Sequence, residues 1–403
     1  MNIFLFKKNH VIMKKKFMEA IPMAEEIVRL TKEDYDELIP MLNETFAQAR
    51  KREVNFEASL PKMCRRNDES MGKHIGIRVD GRLAAALGVY PLPAQVAGVD
   101  VLFSTVGNVA THPDFAGRGY MSILLNEAMK ELEKIGADGS RLGGKRDRYQ
   151  RYGYDCAGFV TAYDLDITQW PKKKEFKAIH FEEMTREDEG PLEWCRRLNQ
   201  ASLFHVRRDN LDDFFDTMRA WKHTPFAALD ENGMLVGYLC ASQDDKEIAE
   251  ICYDSQETFQ GMIHAWLQES QQLHLCMMPH QVEENRFLTQ YSASFSMHVP
   301  SQFKICNWEK VVGAFLRLKA TYTHFPPAAL LIEIQGYGQL LLETEGQMTR
   351  CIRGEKLNCK PDISVSEQEA HQLFFGPSPV LADLLGAGAI LPLPLSWNNQ
   401  DRV

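Results

Sequence analysis

The sequence lacks the features of a secreted or membrane-spanning chain. Its 403 residues include nine cysteines, but none of them forms a Cys-x-x-Cys pair. Scattered cysteines are typical of reduced thiols in the cytoplasm and give no metal-binding framework. No apolar run approaches the roughly 20 residues that a membrane-spanning helix needs. We therefore expect a cytoplasmic protein that has no membrane partner.

An excess of basic residues is also missing. Lysine and arginine total 46 against 55 acidic residues, which gives a formal net charge of −9. This balance argues against nucleic acid or an acidic membrane surface as the main partner. It suits a cationic small substrate, although most of these carboxylates are expected to be solvated surface groups.

The sequence has little that could bind a metal ion. His274, Cys276 and His280 lie close together in the segment QLHLCMMPH. Histidine and cysteine are common zinc ligands, so the segment is a conceivable site. We interpret it instead as a buried strand with incidental histidines, and we expect no metal cofactor.

The start of the chain has only a short apolar patch beside its lysines. A signal peptide needs a longer apolar stretch after its positive charges. Residues 1–24 are therefore either a disordered leader or the result of a misassigned start codon. We favour translation from Met23, because a strand and a helix begin at once after it. Thr31 is a suitable N-cap for that helix, with Asp34 three residues further on.

Three segments differ in their pattern of strands and helices. Residues 25–165 alternate strands with helices, and residues 166–298 repeat the order of hairpin, strand, helix and strand. This repetition suggests an internal duplication. Residues 299–403 predict an amphipathic helix, a small sheet and another helix. Three domains agree with the usual size of domains, and the expected fold class is α/β (α+β), with mixed sheets flanked by helices.

The segment VATHPDFAGRGYMSILL, residues 109–125, runs from a strand through a glycine loop into an apolar-striped helix. The N-terminus of a helix presents unpaired N–H groups and the positive end of the dipole, which together bind an anion. Gly117 and Gly119 would let phosphate oxygens reach those groups without meeting a Cβ atom. The loop GxxxxGK[ST] is absent, and Ser122 occupies the third glycine position of the dinucleotide fingerprint. The loop is thus a phosphate site of another kind, or a plain turn with spare glycines.

The loop resembles that of the GCN5-related N-acetyltransferases, whose pattern Arg/Gln-x-x-Gly-x-Gly/Ala holds the diphosphate of coenzyme A. Gly119 has the central glycine position, whereas Ala116 and Met121 depart from the pattern, and Arg118 is a candidate for the missing cation. The resemblance implies acetyl-CoA as co-substrate, bound beside a strand whose free backbone groups pair with the pantetheine arm. The cofactor-binding residues that it implies are Val109, Ala110, Thr111, Gly117, Arg118, Gly119, Tyr120, Met121 and Ser122.

The whole chain resembles one branch of that superfamily, the enhanced-intracellular-survival-type acetyltransferases. Members of the branch have an active acetyltransferase domain, a degenerate second copy and a sterol-carrier-like C-terminal domain. The resemblance implies tandem acetyltransferase folds over residues 25–165 and 166–298, and a sterol-carrier-like α/β domain over residues 299–403. The second copy has no glycines at its strand–helix junction, YDSQETFQ, and is not expected to bind a cofactor. The branch tends to form rings, so we expect a homo-oligomer.

Acetyl transfer to an amine needs a base for the ammonium proton and an acid for the leaving thiolate. In the branch, the acid is a tyrosine in a Tyr-x-Arg-Phe-Gly-Tyr segment and the base is the C-terminal carboxylate. The segment RYQRYGYD is similar, which implies Tyr149 as general acid and Val403 as general base. An aromatic strand–helix junction explains Tyr152 and Tyr154 better than catalysis does. A disordered tail is the alternative for Val403, and Asp401 is a rival base.

We therefore expect an acetyl-CoA-dependent N-acetyltransferase that acetylates a primary amine on a small molecule or a peptide. Candidate substrate contacts are Asp36, Glu44, Phe46 and Asp401, although exposure on a helix explains the first three equally well. Arg402 stands where an acidic pocket for polycations would gain from a carboxylate, which puts aminoglycosides in doubt. The alternative is a binding protein, either an acyl-CoA sensor without turnover or a lipid-binding protein.

Overall fold

The computed structural model describes residues 24–354 and 360–401. These residues form three sheets flanked by helices, which confirms the expected α/β class with tandem mixed sheets. The expected leader, residues 1–24, lies outside the described residues except for Ala24. No helix in the described ranges is both long enough and apolar enough to cross a membrane.

The elements from the first part of the chain are β1 Glu25–Arg29, α1 Tyr35–Arg50, α2 Phe56–Ser59, α3 Asp68–Met71, β2 His74–Val79, β3 Arg82–Val96, β4 Val99–Thr111, α4 Tyr120–Lys134, β5 Gly139–Leu142, α5 Arg146–Tyr149 and β6 Asp155–Cys156. Those from the second part are β7 Val160–Asp166, β8 Ile179–Glu183, α6 Glu189–Gln200, β9 Phe204–Val206, α7 Leu211–Met218, β10 Thr224–Asp230, β11 Leu235–Ala241, β12 Glu247–Tyr253, α8 Gln256–Ser270, β13 Gln272–Met277, α9 Val282–Tyr291 and β14 Ser294–His298. Those from the last part are β15 Gln302–Ile305, α10 Trp308–Ala320, β16 Phe325–Ile334, β17 Gly338–Gly346, β18 Met348–Gly354, β19 Ile363–Val365, α11 Glu367–Phe375 and α12 Val380–Leu384.

The first sheet has eight strands in the order β1-β2-β3-β4-β5-β15-β6, with β9 paired to β3 outside this path. The β2–β3 hairpin turns at Asp80-Gly81, where φ angles of 50° and 82° give the left-handed conformation that a tight hairpin turn needs. Strands β4 and β5 are parallel, and α4 forms the crossover between them. Thr31 and Asp34 form the capping box predicted before the first helical turn.

The two faces of the first sheet carry different helices. The apolar stripe of α4, which includes Leu124 and Leu132, packs with Leu87 and Val89 of β3. Helices α1 and α2 pack against the opposite face, with Ala86 and Tyr90 of the same strand. Side chains alternate between the faces of a strand, so β3 serves both layers. The sheet therefore separates the helix that follows the glycine loop from α1 and α2.

The second sheet has the order β14-β7-β13-β12-β11-β10-β8. Its hairpin β10–β11, strand β12, helix α8 and strand β13 follow the predicted order, and β12 and β13 are parallel like β4 and β5. Ser255 caps α8, its side chain accepting a hydrogen bond from the backbone N–H of Thr258. A side-chain cap thus occupies the position where the first copy has glycine.

Two strands differ from the domain limits expected from the sequence. Strand β7, Val160–Asp166, pairs only with β13 and β14 in the second sheet, so the expected limit at residue 165 cuts through that sheet. Strand β15, expected in the C-terminal domain, pairs with β5 and β6 in the first sheet. Backbone pairing across the sequence decides membership here, and local strand patterns carry no information about partners. The parts of the chain are therefore interlocked.

The third sheet has the order β18-β17-β16-β19, with β16 and β19 parallel. Helix α10 buries Trp308 and Phe315, and α11 buries Phe374 and Phe375, in a core that continues to Trp397. The same core contains side chains of β3 and β4, so this part packs directly against the first sheet. Its likeness to sterol-carrier domains stays a prediction.

A buried ion-pair cluster connects the second and last parts of the chain. Arg208, which follows β9 and is 1% exposed, donates to both carboxylate oxygens of Glu250 on β12 at 2.8 and 2.6 Å. It also donates to Asp401 at 3.1 Å. Burial alone would raise the pKa of Glu250, but the charge and hydrogen bonds of Arg208 hold it below its usual value. The guanidinium thus stabilises two buried carboxylates from different segments.

We predict that Arg208→Met lowers the free energy of unfolding by about 3–5 kcal/mol, because Glu250 and Asp401 lose their cation inside the protein. Urea titration followed by fluorescence measures the loss. Arg207→Met is the matched control, since the Arg207 side chain is half exposed, and it should change stability by less than about 0.5 kcal/mol. Equal losses in both variants would contradict the role of the cluster.

The same cluster gives a pH dependence. The pKa of Glu250 is lowered in the folded protein, so its contribution is complete above the unfolded-state pKa of about 4.3. It is lost as the pH falls through the lower folded-state pKa. The stability difference between wild type and Arg208→Met should therefore shrink as the pH falls, because Glu250 without its cation is protonated more readily in the variant.

Candidate functional site

The site lies where β4 and β5 separate. These parallel strands pair only from Phe103–Thr105 to Gly139–Arg141. Beyond that point β4 continues to Thr111 along β3, whereas β5 ends at Leu142 and turns at Gly143. The divergence leaves an opening through the sheet that joins its two faces.

A cleft of about 760 Å³ occupies this opening. It is large enough for a small-molecule ligand. Its walls consist of Val106, Gly107, Asn108, Val109 and Thr111 of β4, of Gly143, Gly144, Lys145, Arg148 and Tyr149 after β5, of Thr45, Phe46, Ala49, Arg50 and Phe56 from α1 and α2, and of Met121 and Trp221.

The free edge of β4 faces the cleft. The N–H of His112 donates to Ala84 of β3 at 2.8 Å. Because backbone groups alternate along a strand, the N–H of Ala110 points to β3 as well, and those of Val109 and Thr111 point toward the opening. The sequence predicted free backbone groups at all three positions. The structure corrects Ala110, which pairs with Ala86 and has a buried side chain.

A bulge at Asn108, which the sequence analysis missed, sets the direction of this edge. Asn108 has φ of 55°, and the register of β3 and β4 shifts beside it. Its Nδ2 donates to the Tyr90 hydroxyl at 2.7 Å, which lies 2.8 Å from His74 Nε2. Burial lowers the pKa of His74 to about 4, so the ring is neutral and can accept this hydrogen bond. Asparagine's tolerance of the left-handed conformation is the signal that sequence offered.

The glycine loop lies at the α4 face of the opening. Gly117 and Gly119 have φ of 80° and 81°, and a Cβ at either position would point into open space. Gly119 is the N-cap of α4 and provides no side-chain cap. The first N–H groups of the helix are therefore available to an anion that occupies the space in front of the glycines.

The side chains of the other predicted loop residues lie in different surroundings, some at the cleft and some in the core. Met121 lines the cleft, whereas the Tyr120 side chain is buried and its hydroxyl donates to Glu25 at 2.6 Å. Therefore only the backbone of Tyr120, and not its side chain, can contact a ligand bound at the loop. The guanidinium of Arg118 lies 5.3 Å from the ring centre of Phe115. Ser122 accepts a hydrogen bond of 2.7 Å from Arg151, which ties the loop to the tyrosine-rich segment.

Tyr149 lies in the wall of the cleft opposite β4. Its ring packs over Gly144, where a Cβ would come within 2.8 Å of the ring, and Gly144 has φ of 141°. Gln302 of β15 donates to the Gly144 carbonyl at 2.6 Å, and Arg146 fixes the start of α5 through Asp155. Burial raises the pKa of Tyr149 despite the nearby charge of Arg148. The hydroxyl therefore stays protonated at neutral pH and can donate a proton.

The neighbouring tyrosines serve the structure, as the sequence suggested. Tyr154 is fully buried, and its hydroxyl lies 2.7 Å from Ser140 Oγ. Tyr152 packs against the α4 core, and the guanidinium of Arg151 lies 5.0 Å from its ring centre. Neither tyrosine lines the cleft.

Of the three predicted substrate contacts on α1, only one lines the cleft. Phe46 lines the cleft and packs edge-on against Phe56 at 5.0 Å. Asp36 and Glu44 do not line it: Asp36 is exposed and pairs with Arg66, and Glu44 is exposed on α1.

Of the two residues predicted at the chain end, only one lies among the described residues. Asp401 is 7% exposed and forms its ion pair with Arg208, and this rival base is not part of the cleft lining. Val403, the predicted general base, lies outside the described residues.

Several residues of the cleft were not predicted from the sequence, and four of them bear on its chemistry. Arg50, Lys145 and Arg148 add three positive charges, and the lining contains no Asp or Glu. The basic residues around Tyr149 in KRDRYQRY were a visible signal for two of them. Trp221 comes from the second part of the chain, in a short helical turn over Ala220–Lys222, and no local pattern marks it.

The histidine and cysteine segment is a strand, as interpreted. His274 on β13 lies 2.8 Å from Asp164, and Cys276 lies 3.9 Å from the same ring. Hydrogen bonds to Cys276 and Asp164 raise the pKa of His274 to about 9. His280 is buried, and burial lowers its pKa to about 4. In the described ranges no group of three such side chains is arranged to hold a metal ion.

Comparison with known proteins identifies the first part of the chain. Residues 26–157 match the acetyltransferase (GNAT) domain family. A search of curated proteins gave no significant match.

Solved structures resemble the chain over nearly its whole length. A probable N-acyltransferase from Enterococcus faecalis has 16% identity and a TM-score of 0.66, covering 92% of this chain and 98% of its own. A GCN5-related N-acetyltransferase from Anabaena variabilis has 14% identity and a TM-score of 0.64, covering 93% and 98%. Eis1 from Mycobacterium abscessus has 14% identity and a TM-score of 0.63, covering 94% and 100%. At these identities the likeness is one of fold.

We predict that Gly119→Ala weakens coenzyme A binding at least about tenfold, because the Cβ enters the space before the helix N-terminus and strains a left-handed residue. Isothermal titration calorimetry measures the affinity. Gly136→Ala is the matched control, since Gly136 has φ of 66° and open space at the other end of α4. It carries similar strain but should bind coenzyme A normally. Equal weakening in both variants would place the diphosphate elsewhere.

Proposed function

We propose that this chain, whose first part is a GNAT acetyltransferase domain, is an acetyl-CoA-dependent N-acetyltransferase that acetylates a primary amine. The observation that carries the proposal is the opening between β4 and β5. It brings a free strand edge and a buried phenol to one cleft, and that cleft reaches Met121 in the first turn of the helix after the glycine loop. Each group has a separate task in acetyl transfer from a thioester to an amine.

The strand edge and the loop would hold the co-substrate, which supplies an acetyl thioester. The N–H groups at the start of α4 face the position of the diphosphate. The free backbone groups of Val109 and Thr111 would pair with the amides of the pantetheine arm, like an added strand. A backbone N–H on this edge can also donate to the thioester oxygen as that oxygen gains negative charge.

Tyr149 is the proposed general acid. It lies in the cleft wall opposite the strand edge, and its pKa is raised, so it carries a proton at the pH of the reaction. The attacking amine forms the C–N bond, the C–S bond breaks, and the phenol gives its proton to the departing sulfur. Proximity permits this transfer although a phenol is a weak acid.

The Val403 carboxylate is the proposed general base, which takes the proton from the attacking amine. Two features support it. Gln400 donates to the Met218 carbonyl at 2.6 Å, so the last described residues lie beside the turn that carries Trp221. Two further residues span at most about 7 Å. The rival, Asp401, is already paired with Arg208.

The broader features of the proposal follow the resemblance in sequence. We propose the enhanced-intracellular-survival-type branch, with the second copy inactive, and a cytoplasmic homo-oligomer. Analytical ultracentrifugation measures the oligomeric state directly. The second candidate function is an acyl-CoA sensor or a lipid-binding protein. Release of free thiol from acetyl-CoA with a panel of amines separates the candidates, because a sensor binds acetyl-CoA without turnover.

We predict that Tyr149→Phe lowers kcat by about 10²-fold or more, because the leaving thiolate loses its proton donor. The affinity for acetyl-CoA should stay within about twofold, since the ring remains in place. Tyr152→Phe is the control and should keep wild-type turnover. In the wild type, the raised pKa predicts no loss of rate from ionisation of Tyr149 below the usual phenol pKa of about 10. Normal turnover in Tyr149→Phe would remove the phenol from the mechanism.

We also predict that a short Gly-Ser extension after Val403 lowers kcat at least about tenfold, because it moves the terminal carboxylate. The loss should be smaller at high pH, where more of the amine is already neutral. The same extension placed at the N-terminus is the control. Full activity of the C-terminally extended protein at neutral pH would show that another group accepts the proton.

A further inference from the structure

Two polar atoms in the cleft wall have no partner. Thr45 Oγ1 and Trp221 Nε1 are both shielded from solvent and make no hydrogen bond within the described residues. Both residues line the cleft. Buried polar groups are nearly always paired in folded proteins, so an unpaired hydroxyl and an unpaired indole N–H in a cleft wall indicate a ligand that accepts hydrogen bonds.

Arg50 belongs to the same wall. It is the last residue of α1, and its guanidinium lies 5.4 Å from the ring centre of Phe46. No carboxylate within the described ranges forms an ion pair with it. Arg50 is exposed, and partial desolvation and the nearby Arg52 lower its pKa. Because its guanidinium has no carboxylate partner among the described residues, it can donate charge-assisted hydrogen bonds to a bound anion.

This wall is separated from the phosphate loop by the sheet. Thr45, Phe46 and Arg50 extend from α1, and Phe46 and Trp221 pack against the core of the α1 face. The helix after the glycine loop packs on the opposite face. The diphosphate of coenzyme A is therefore not the partner of Arg50. Lys145 and Arg148 lie on the β5 side, where phosphates already offer a partner, so the argument rests on the α1 wall.

The second part of the chain fixes Trp221 in this position. Arg65 before α3 donates to Asp213 at 2.6 Å and to Asp216 at 2.9 Å, which attaches α7 to the first part. The turn after α7 holds Trp221 with φ of 60° and ψ of 23°. A large side chain rarely adopts this left-handed conformation, and such residues concentrate at functional sites.

We propose that the acceptor is a primary amine that also carries an anionic group, a carboxylate or a phosphate, bound by Arg50 together with the Thr45 hydroxyl and the Trp221 indole N–H. This substrate class rests on the proposed N-acetyltransferase function. The anion anchors the substrate at the α1 wall, and the amine points to the opening where the thioester lies.

The charges of the cleft have a second effect. Arg50, Lys145 and Arg148 repel an ammonium ion, so they lower the pKa of a bound amine and increase its neutral, nucleophilic fraction. A diamine or polyamine keeps a further positive charge with no carboxylate among the lining residues to receive it. The cleft therefore selects against polycations although the whole chain is acidic.

A matched series of amines tests the proposal. We expect kcat/KM to be at least about tenfold higher for γ-aminobutyrate than for butylamine, and lowest for putrescine. Ethanolamine and phosphoethanolamine form a second pair, which distinguishes phosphate from carboxylate recognition. A preference for putrescine, or equal values throughout, would overturn the proposal.

Single-residue variants test whether the α1 wall causes the preference for anionic amines. Arg50→Gln should raise KM for the anionic amine at least about tenfold and change kcat/KM for butylamine by a much smaller factor. Arg52→Gln, which alters an exposed residue outside the cleft lining, is the matched control. Trp221→Phe keeps the ring but removes the N–H, and should raise KM for the anionic amine by a smaller factor. Equal effects of Arg50→Gln on both amines would contradict anion recognition.

Calorimetry keeps the two proposals distinguishable. γ-Aminobutyrate and phosphoethanolamine are titrated into the complex with coenzyme A, without turnover. If an anionic amine binds and Arg50→Gln abolishes binding, the result supports the anion site even where no acetyl transfer occurs. If amines are acetylated without regard to charge, the result supports the acetyltransferase function and contradicts the anion site.

Discussion

The separation of β4 from β5 is the constraint on which the rest of the site depends. Unpaired backbone groups inside a protein are costly, so two strands of one sheet part only where something else completes their hydrogen bonds. Here the pairing stops after Thr105 and Arg141, while β4 continues for six residues with one edge free. That edge determines where an extended ligand could pair with the sheet. The glycine loop, the phenol and the α1 wall acquire their roles from their positions around it.

Different segments hold the two strands apart. On the β4 side, Asn108 donates a hydrogen bond to the Tyr90 hydroxyl, which in turn contacts the neutral ring of His74. These contacts fix the bulge at Asn108. On the β5 side, the turn at Gly144 is fixed by Gln302 from β15. A strand that enters the sheet after the whole second part of the chain thus supports the segment that carries Tyr149. The site depends on the interlocked fold, and the first 157 residues do not contain all of its supports.

Local patterns in the sequence predicted most elements and the glycine loop, because periodicity, turn residues and the N-cap position are properties of neighbouring residues. The helix after Gly119 follows from such patterns, whereas Tyr149 was chosen from the resemblance to the acetyltransferase branch. Pairing between distant segments has no local signature, so the expected domain limits cut through β7 and separate β15 from the first sheet. Trp221 was missed for the same reason, and Asp401 was misread because its partner Arg208 is distant in sequence.

The second part of the chain has a physical reason to persist without a cofactor loop of its own. Here the hydrogen bonds of Arg65 to Asp213 and Asp216 attach α7 to the first part of the chain, and the turn after α7 brings Trp221 into the cleft lining. The second part therefore contributes to the shape of the cleft through Trp221, although its own strand–helix junction has no glycine loop.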